Sequence, residues 1–473
     1  MTAESAYPNY RQPKMRWLPA VPEHWNEQRA KTFFREVDER SKTGQEELLS
    51  VSHLTGVTPR SQKKVTMFKA ASYVGSKLCR PGDIVINTLW AWMAALGASR
   101  HVGIVSPAYG VYRPHHADSF NPAYLDYLLR TRAYVAEYIG RSTGIRSSRL
   151  RLYPNQFLDI ALIQPPRPEQ DQIVAYLRAQ DAHIARFIKA KRELIKLLTE
   201  QKLRIIDHVV THGLDTAVAL KPSGIEWLGD VPEHWEVKPL KRWVRLNART
   251  LGEKTSPDFE FRYVDIGSVQ TGRLAKELER IRFEAAPSRA RRVLRQGDTI
   301  ISTVRTYLKA IWYVSEDADD LIASTGFAVL TPGKSVEPEY LGYVIQSSAF
   351  VNRVAANSIG IAYPAIAETV LGRFPVALPP TVDEQQAIVA HIKTESAPLD
   401  DAIARTEEEI KLIREYRDRL IADVVTGQVD VRGWQPSLED VVDDAALAAL
   451  GDDPEDVTDE EDGDGDGDGD GED

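Results

Sequence analysis

The chain has 473 residues, 43% hydrophobic and 27% charged, which exceeds one ordinary core and fits a soluble protein of two or three domains. Its longest apolar run, Leu89 to Leu96, is far short of the ~20 residues that span a bilayer. The opening MTAESAYPNYRQ does not read as a secretory leader, and the single cysteine, Cys79, excludes an internal disulfide or a cysteine metal cluster, so a cytoplasmic location is expected.

The net charge of −10 comes from the C-terminus, because residues 436–473 hold 18 acidic and no basic side chains. The remaining body has 59 basic against 51 acidic residues, and residues 1–165 alone have 22 against 13. A mildly basic body permits a nucleic-acid partner.

WLPAVPEHW at Trp17 to Trp25 returns as WLGDVPEHW at Trp227 to Trp235. RPGDIVINT at 80–88 returns as RQGDTIIST at 295–303, and NPAYLDYLL at 121–129 as EPEYLGYVI at 337–345. PPRPEQDQIVAYL at 165–177 returns as PPTVDEQQAIVAHI at 379–392, and DHVVTHG at 207–213 as ADVVTG at 422–427. Landmarks in one order at nearly one offset mean a tandem duplication. The expected segments are a globule over 1–165, a helical spacer over 166–220, a second globule over 221–380, a second spacer over 381–430 and an acidic, disordered tail over 431–473.

Within the globules, GDIVINT and GDTIIST predict buried strands entered from a Gly-Asp turn. AIWYV (310–314) and FAVLTP (327–332) predict further strands. PAYLDYLLRTRAYVAEYIG and PEYLGYVIQSSAFVNRVA predict short amphipathic helices. Each globule is a mixed α/β unit. The spacers carry heptad seams: Leu177, Ile184, Lys191, Leu198 and Ile205 with Asp181, Ile188, Ile195, Lys202 and Val209 in the first. In the second they are Ile392, Leu399, Thr406, Ile413 and Leu420 with Ser396, Ile403, Ile410, Arg417 and Val424. The polar exceptions coincide at 181/396, 191/406 and 202/417, which predicts an antiparallel coiled coil of the two spacers about a pseudo-twofold axis. Asp181 and Ser396, with Pro398 close behind, predict a helix restart and helices of about 28 residues thereafter. The fold class is mixed α+β.

The doubled W-L-x-x-V-P-E-H-W opening, the Pro-Pro…Glu-Gln joint and the long helix after it resemble the specificity subunit of type I restriction–modification systems over residues 10–430. The resemblance implies two target-recognition domains, each reading half of a bipartite site in double-stranded DNA. It implies helices that dock two modification (methyltransferase) subunits, here through Leu177, Ile184, Ile188, Ile195, Leu198, Leu399, Ile403, Ile410, Ile413 and Leu420, with restriction (motor-nuclease) subunits joining. No cofactor is expected in this chain; S-adenosylmethionine, ATP and Mg belong to those partners. The acidic tail is outside the family pattern.

The residues themselves carry no catalytic signature. Neither Pro-Pro pair follows Asn or Asp, no G-x-G-x-x-G is present, and GKS at 333–335 lacks the upstream glycine of a phosphate loop. The Glu-x-Lys pairs at 200–202 and 409–411 read as helix surface, His24 and His234 as turn or packing residues, and His208/His212 as an unpartnered i, i+4 pair. DGDGDGDGDGED begins like a calcium loop but ends at Asp473 without the bidentate Glu or a following helix. A non-catalytic chain is expected, with no metal site. Candidate DNA-binding residues are Arg60, Lys63, Lys64, Asn87, Arg141, Arg146 and Arg149 in the first globule, and Arg289, Arg291, Arg292, Arg305 and Lys309 in the second, since Arg and Lys in polar loops reach base edges and phosphates. Trp90 and Trp92 follow the Asn87 strand and read as core or as part of the same face. A coiled-coil scaffold without DNA readout is the competing reading, and a fused enzyme with an unrecognised site a third.

Overall fold

A computed structural model describes residues 6–53, 55–62, 72–144, 150–316, 319–360, 363–437 and 440. The chain forms two compact units: residues 1–191 with 408–473, and residues 192–407. Each takes part of both long helices.

In the first unit a four-stranded antiparallel sheet has the order Phe34–Glu36, Gly110–Pro114, Ile84–Ile86, Leu96–Ala98. The second unit has its counterpart in the order Val244–Leu246, Phe327–Pro332, Thr299–Ser302, Ile311–Tyr313. The duplication read from the sequence is thus a duplication of strand order. The predicted helices follow as pairs, Pro122–Leu129 with Arg132–Arg141 and Pro338–Gln346 with Ser348–Ala356. The units diverge beside the shared sheet. The second builds a further four-stranded sheet, Arg280–Arg282, Glu260–Val264, Leu321–Ser324, Ala290–Val293, where the first has two separate two-stranded pairs.

The repeated landmarks are fastenings. Gly82 and Gly297 turn the chain at φ 88° and 89°, which a Cβ would disfavour. The neighbouring Asp83 and Asp298 are buried and accept the backbone N–H of Arg80 and Arg295. The EHW motif grips the first turn of the long helix. His24 Nε2 and the Trp25 indole N–H each lie 2.9 Å from Glu169, which also accepts the Tyr7 hydroxyl. His234 and Trp235 meet Glu384 in the same way at 3.0 and 2.9 Å. The adjacent glutamines close the joint: Gln170 accepts from the Asn121 backbone and donates to the Pro165 carbonyl, and Gln385 does so with Glu337 and Pro379.

The long helices run Arg167–His212 and Val382–Val425, 46 and 44 residues. The expected restart at Asp181 and Ser396 is absent: both helices pass through, with Pro398 exposed inside the second. Asp181 continues the helix because its charge is met. It accepts two hydrogen bonds from Arg417, at 2.6 and 3.1 Å, and one from the Tyr127 hydroxyl at 2.8 Å. None of the twenty seam residues is exposed. In the first unit residue 181 meets 417 and Lys191 meets Glu409; in the second, Lys202 meets Asp400 at 2.7 Å. Within the first unit the two helical segments therefore run in opposite directions.

Both long helices end on a glycine in the left-handed region, Gly213 (φ 73°) and Gly427 (φ 77°), the usual cap for a helix C-terminus. A Cβ on Gly213 would stand 3.4 Å from the Trp235 ring; one on Gly427 would stand 2.4 Å from the Pro22 ring. Gly213→Ala is expected to cost about 1 kcal/mol, the left-handed penalty alone. Gly427→Ala should cost clearly more because the Pro22 ring must also move. Denaturant midpoints of the two variants measure the order, and equal shifts would contradict the packing argument.

The first unit also extends past the boundary expected at residue 431. Val431 is buried, the Trp434 ring packs edge-on against Tyr176, and Gln172 donates to the Trp434 carbonyl. Residues 441–473, most of the acidic tail, lie outside the described residues. No helix among the described residues is long and apolar enough to cross a membrane.

Candidate nucleic-acid interface

In each unit two loops meet at one end of the four-stranded sheet. The first leaves the central strand. After Ile84–Ile86 it makes a 3-10 turn, Ala91–Met93, and re-enters the sheet through Ala94, which is left-handed at φ 63°. After Thr299–Ser302 it makes the turn Thr306–Leu308, bracketed by left-handed Arg305 (φ 51°) and Lys309 (φ 50°). The second loop is pinched at its base by a bridge, Thr143 to Arg151 in the first unit and Ile359 to Ala365 in the second. Matching backbone bonds tie the two loops together: Leu152 N–H to the Thr88 carbonyl, and Ile366 N–H to the Thr303 carbonyl. Neither loop pair carries an acidic residue: STGIRSSRLR and NTLWAWMAA in one, STVRTYLK and NSIGIAYPAI in the other.

The expected DNA-binding residues divide sharply on this frame. Arg305 and Lys309 sit on the paired loops of the second unit, Lys309 exposed and the Arg305 guanidinium 5.0 Å from the Tyr363 ring centre. Asn87 lies at the foot of the first unit's loop, but its amide is occupied, donating to the Tyr109 hydroxyl and accepting the Leu89 N–H. Trp90 and Trp92 stack 6.0 Å apart on that loop, half-buried. Arg141 is drawn to Glu137 and Asp159 at 2.6 and 3.7 Å. Arg60 opens the short turn Arg60–Gln62 after the strand Gly56–Pro59. Lys63, Lys64, Arg146 and Arg149 lie outside the described residues.

Of the cluster at 289–292, Arg291 and Arg292 lie in a strand of the second sheet, Ala290–Val293, and Arg289 is exposed in the turn before it. Arg292 is 17% exposed and paired with Glu368 at 2.7 Å. Arg291 lies over the Phe283 ring and Arg289 donates to the Tyr263 hydroxyl. Arg292 could reach a ligand only by breaking its ion pair with Glu368.

The seam residues expected to dock partners face inward. Leu177, Ile184, Ile188, Ile410 and Leu420 are under a tenth exposed, and Ile195, Leu198, Leu399, Ile403 and Ile413 are half-buried. The large apolar side chains that the helices expose are Phe187, Leu412 and Tyr416 in the first unit and Leu194 and Leu197 in the second.

Sequence reasoning missed the most exposed part of the loops. Ile359 is 84% exposed, and Tyr307 and Tyr363 are each 57% exposed. In the sequence only the following Gly360 and Pro364 mark Ile359 and Tyr363 as turn neighbours, and nothing local marks Tyr307. Among the described residues no group of three or more His, Cys, Asp or Glu side chains could hold a metal.

No family model and no curated protein matches the chain. Solved structures do. A chain from a structure of the complex assembly and conformational transition of the type I R-M system is 16% identical. The alignment covers 86% of this chain and 99% of that one, with a TM-score of 0.53. The HsdS subunit from Thermoanaerobacter tengcongensis is 19% identical over 86% of this chain and 98% of its own, TM-score 0.35. The type I restriction-modification S subunit from M. genitalium is 12% identical over 85% and 96%, TM-score 0.32. Nearly end to end, the chain has the fold of a type I restriction–modification chain.

Proposed function

We propose that this chain is the specificity subunit of a type I restriction–modification complex. Each unit reads one half of a bipartite site in duplex DNA, and the long helices offer two like surfaces to two methyltransferase subunits. The chain does no chemistry of its own; S-adenosylmethionine, ATP and Mg act on the modification and restriction subunits. The observation that carries this reading is that both repeats place two touching loops free of acidic residues at one end of the shared sheet, with Arg305 and Lys309 on those of the second unit. Such loops can set cations on phosphates and side chains on base edges. A scaffold that never meets DNA has no need of the same feature twice.

Co-expression with the methyltransferase subunits, followed by methylome sequencing, tests the reading. A two-part methylated motif should appear only when this chain is present, and the purified chain alone should transfer no methyl group. Lys309→Ala should weaken the DNA binding of the assembled complex and, if the ammonium meets a phosphate, reduce the slope of log K against log salt by about 0.9. Methylation of an unchanged motif without the chain would overturn it.

A further inference from the structure

The second unit's loop pair carries more than charge. Ile359, Tyr307, Tyr363 and Leu308 are 84%, 57%, 57% and 43% exposed. Four large apolar side chains bared on two touching loops are costly to leave in water, and such a patch marks a binding surface. They are held stiffly. The Thr306 hydroxyl donates to the Ser358 hydroxyl at 2.8 Å, and Val304 bridges Ala365. The Lys309 carbonyl accepts the Thr271 hydroxyl. Two non-glycine residues in left-handed conformation within five positions are strain that persists only where the surroundings fix them. The first unit's equivalent turn differs: Leu89, Trp90 and Trp92 are half-buried and Ala91 is buried.

The occupant follows from charge and shape. The lobe has Arg305 and Lys309 and no acid, so a polyanion fits it. On a duplex the one apolar group that a base pair displays in the major groove is the thymine methyl. A wedge between base pairs would have to unstack them at a cost of a few kcal/mol; contact with a methyl does not. Resting on the reading of the chain as a DNA-specificity subunit, we propose that the second unit reads its half-site by apolar contact of Ile359 and Tyr307 with thymine methyl groups. Lys309 then lies on a flanking phosphate, and Arg305 positions Tyr363.

The test uses the full chain assembled with its methyltransferase subunits. Random-core duplexes are selected to define the bipartite motif, and thymines are then replaced by deoxyuridine in one half-site at a time. Deoxyuridine in one half should weaken binding about fourfold per methyl lost, the factor set by burying one such group. Ile359→Ala and Tyr307→Ala should abolish that sensitivity in the same half and leave the other half unchanged. Both residues are exposed, so unaltered melting midpoints serve as the folding control. A motif whose affinity ignores the methyl groups, or variants that keep the full sensitivity, would overturn the inference while leaving the specificity-subunit reading intact. Variants that lose the methyltransferase subunits but bind DNA normally would reassign the lobe to protein docking. No enriched motif at all would overturn both readings.

Discussion

Asp181→Ala is expected to destabilise the first unit by about 3 kcal/mol. The Asp181 side chain is 6% exposed and accepts a bidentate pair from Arg417, itself 28% exposed, and a third bond from the Tyr127 hydroxyl. Removing one partner of a buried pair costs about 3–5 kcal/mol, because the other charge stays behind without compensation. The lower end applies here, since Arg417 retains some water. Tyr127 would also lose its acceptor; burial, followed by the Asp181 charge, already raises its hydroxyl far above the usual tyrosine range. Chemical denaturation, followed by a probe in the first unit, measures the effect. Replacing the pair together, as Asp181→Leu with Arg417→Met, should recover much of the loss, because an apolar pair of similar volume needs no counter-charge. A loss under about 1 kcal/mol in the single variant would show that the pair is not what carries the helix through this position.

Glu169→Ala should cost about 3 kcal/mol and Glu384→Ala about half of that, as follows from leaving buried donors unmet at about 1–3 kcal/mol each. The two carboxylates occupy equivalent places but differ in surroundings. Glu169 has a side chain 7% exposed and serves three donors, Tyr7, His24 and Trp25. Glu384 is 29% exposed and serves His234 and Trp235. In the first unit, moreover, the Arg432 guanidinium lies 4.7 Å from the Tyr7 ring centre, so the chain after the second long helix is fastened to the same cluster. The Trp25 and Trp235 indoles are both buried, and the denaturation midpoints of the two variants against the parent chain measure each fastening. Equal losses, or the reverse order, would refute the account.

Much of this was written in the order of the residues. The doubled landmarks fixed a duplication, and the strands after each Gly-Asp turn and the paired short helices lie where local pattern placed them. Local pattern suffices there because a Gly-Asp turn, a run of β-branched residues and a 3.6-residue periodicity act over a few neighbours. The heptad seams were likewise legible, since burial along a helix repeats with its own geometry.

Other features were decided only by residues far apart in the chain. Asp181 looked like a helix break because its partner Arg417 stands 236 positions away. Arg292 looked like a free cation because Glu368 stands 76 positions away. A charge has no role until its counter-charge is placed, and only tertiary structure places it. Exposure is of the same kind. Ile359 is an apolar residue like those of the core, yet the bridge to Ala365 holds it at the base of a loop, 84% exposed. The sequence by itself determined that two like units and two long helices exist. The tertiary structure decided which basic residues are bound in ion pairs and which apolar residues face solvent, because both depend on neighbours far apart in the chain.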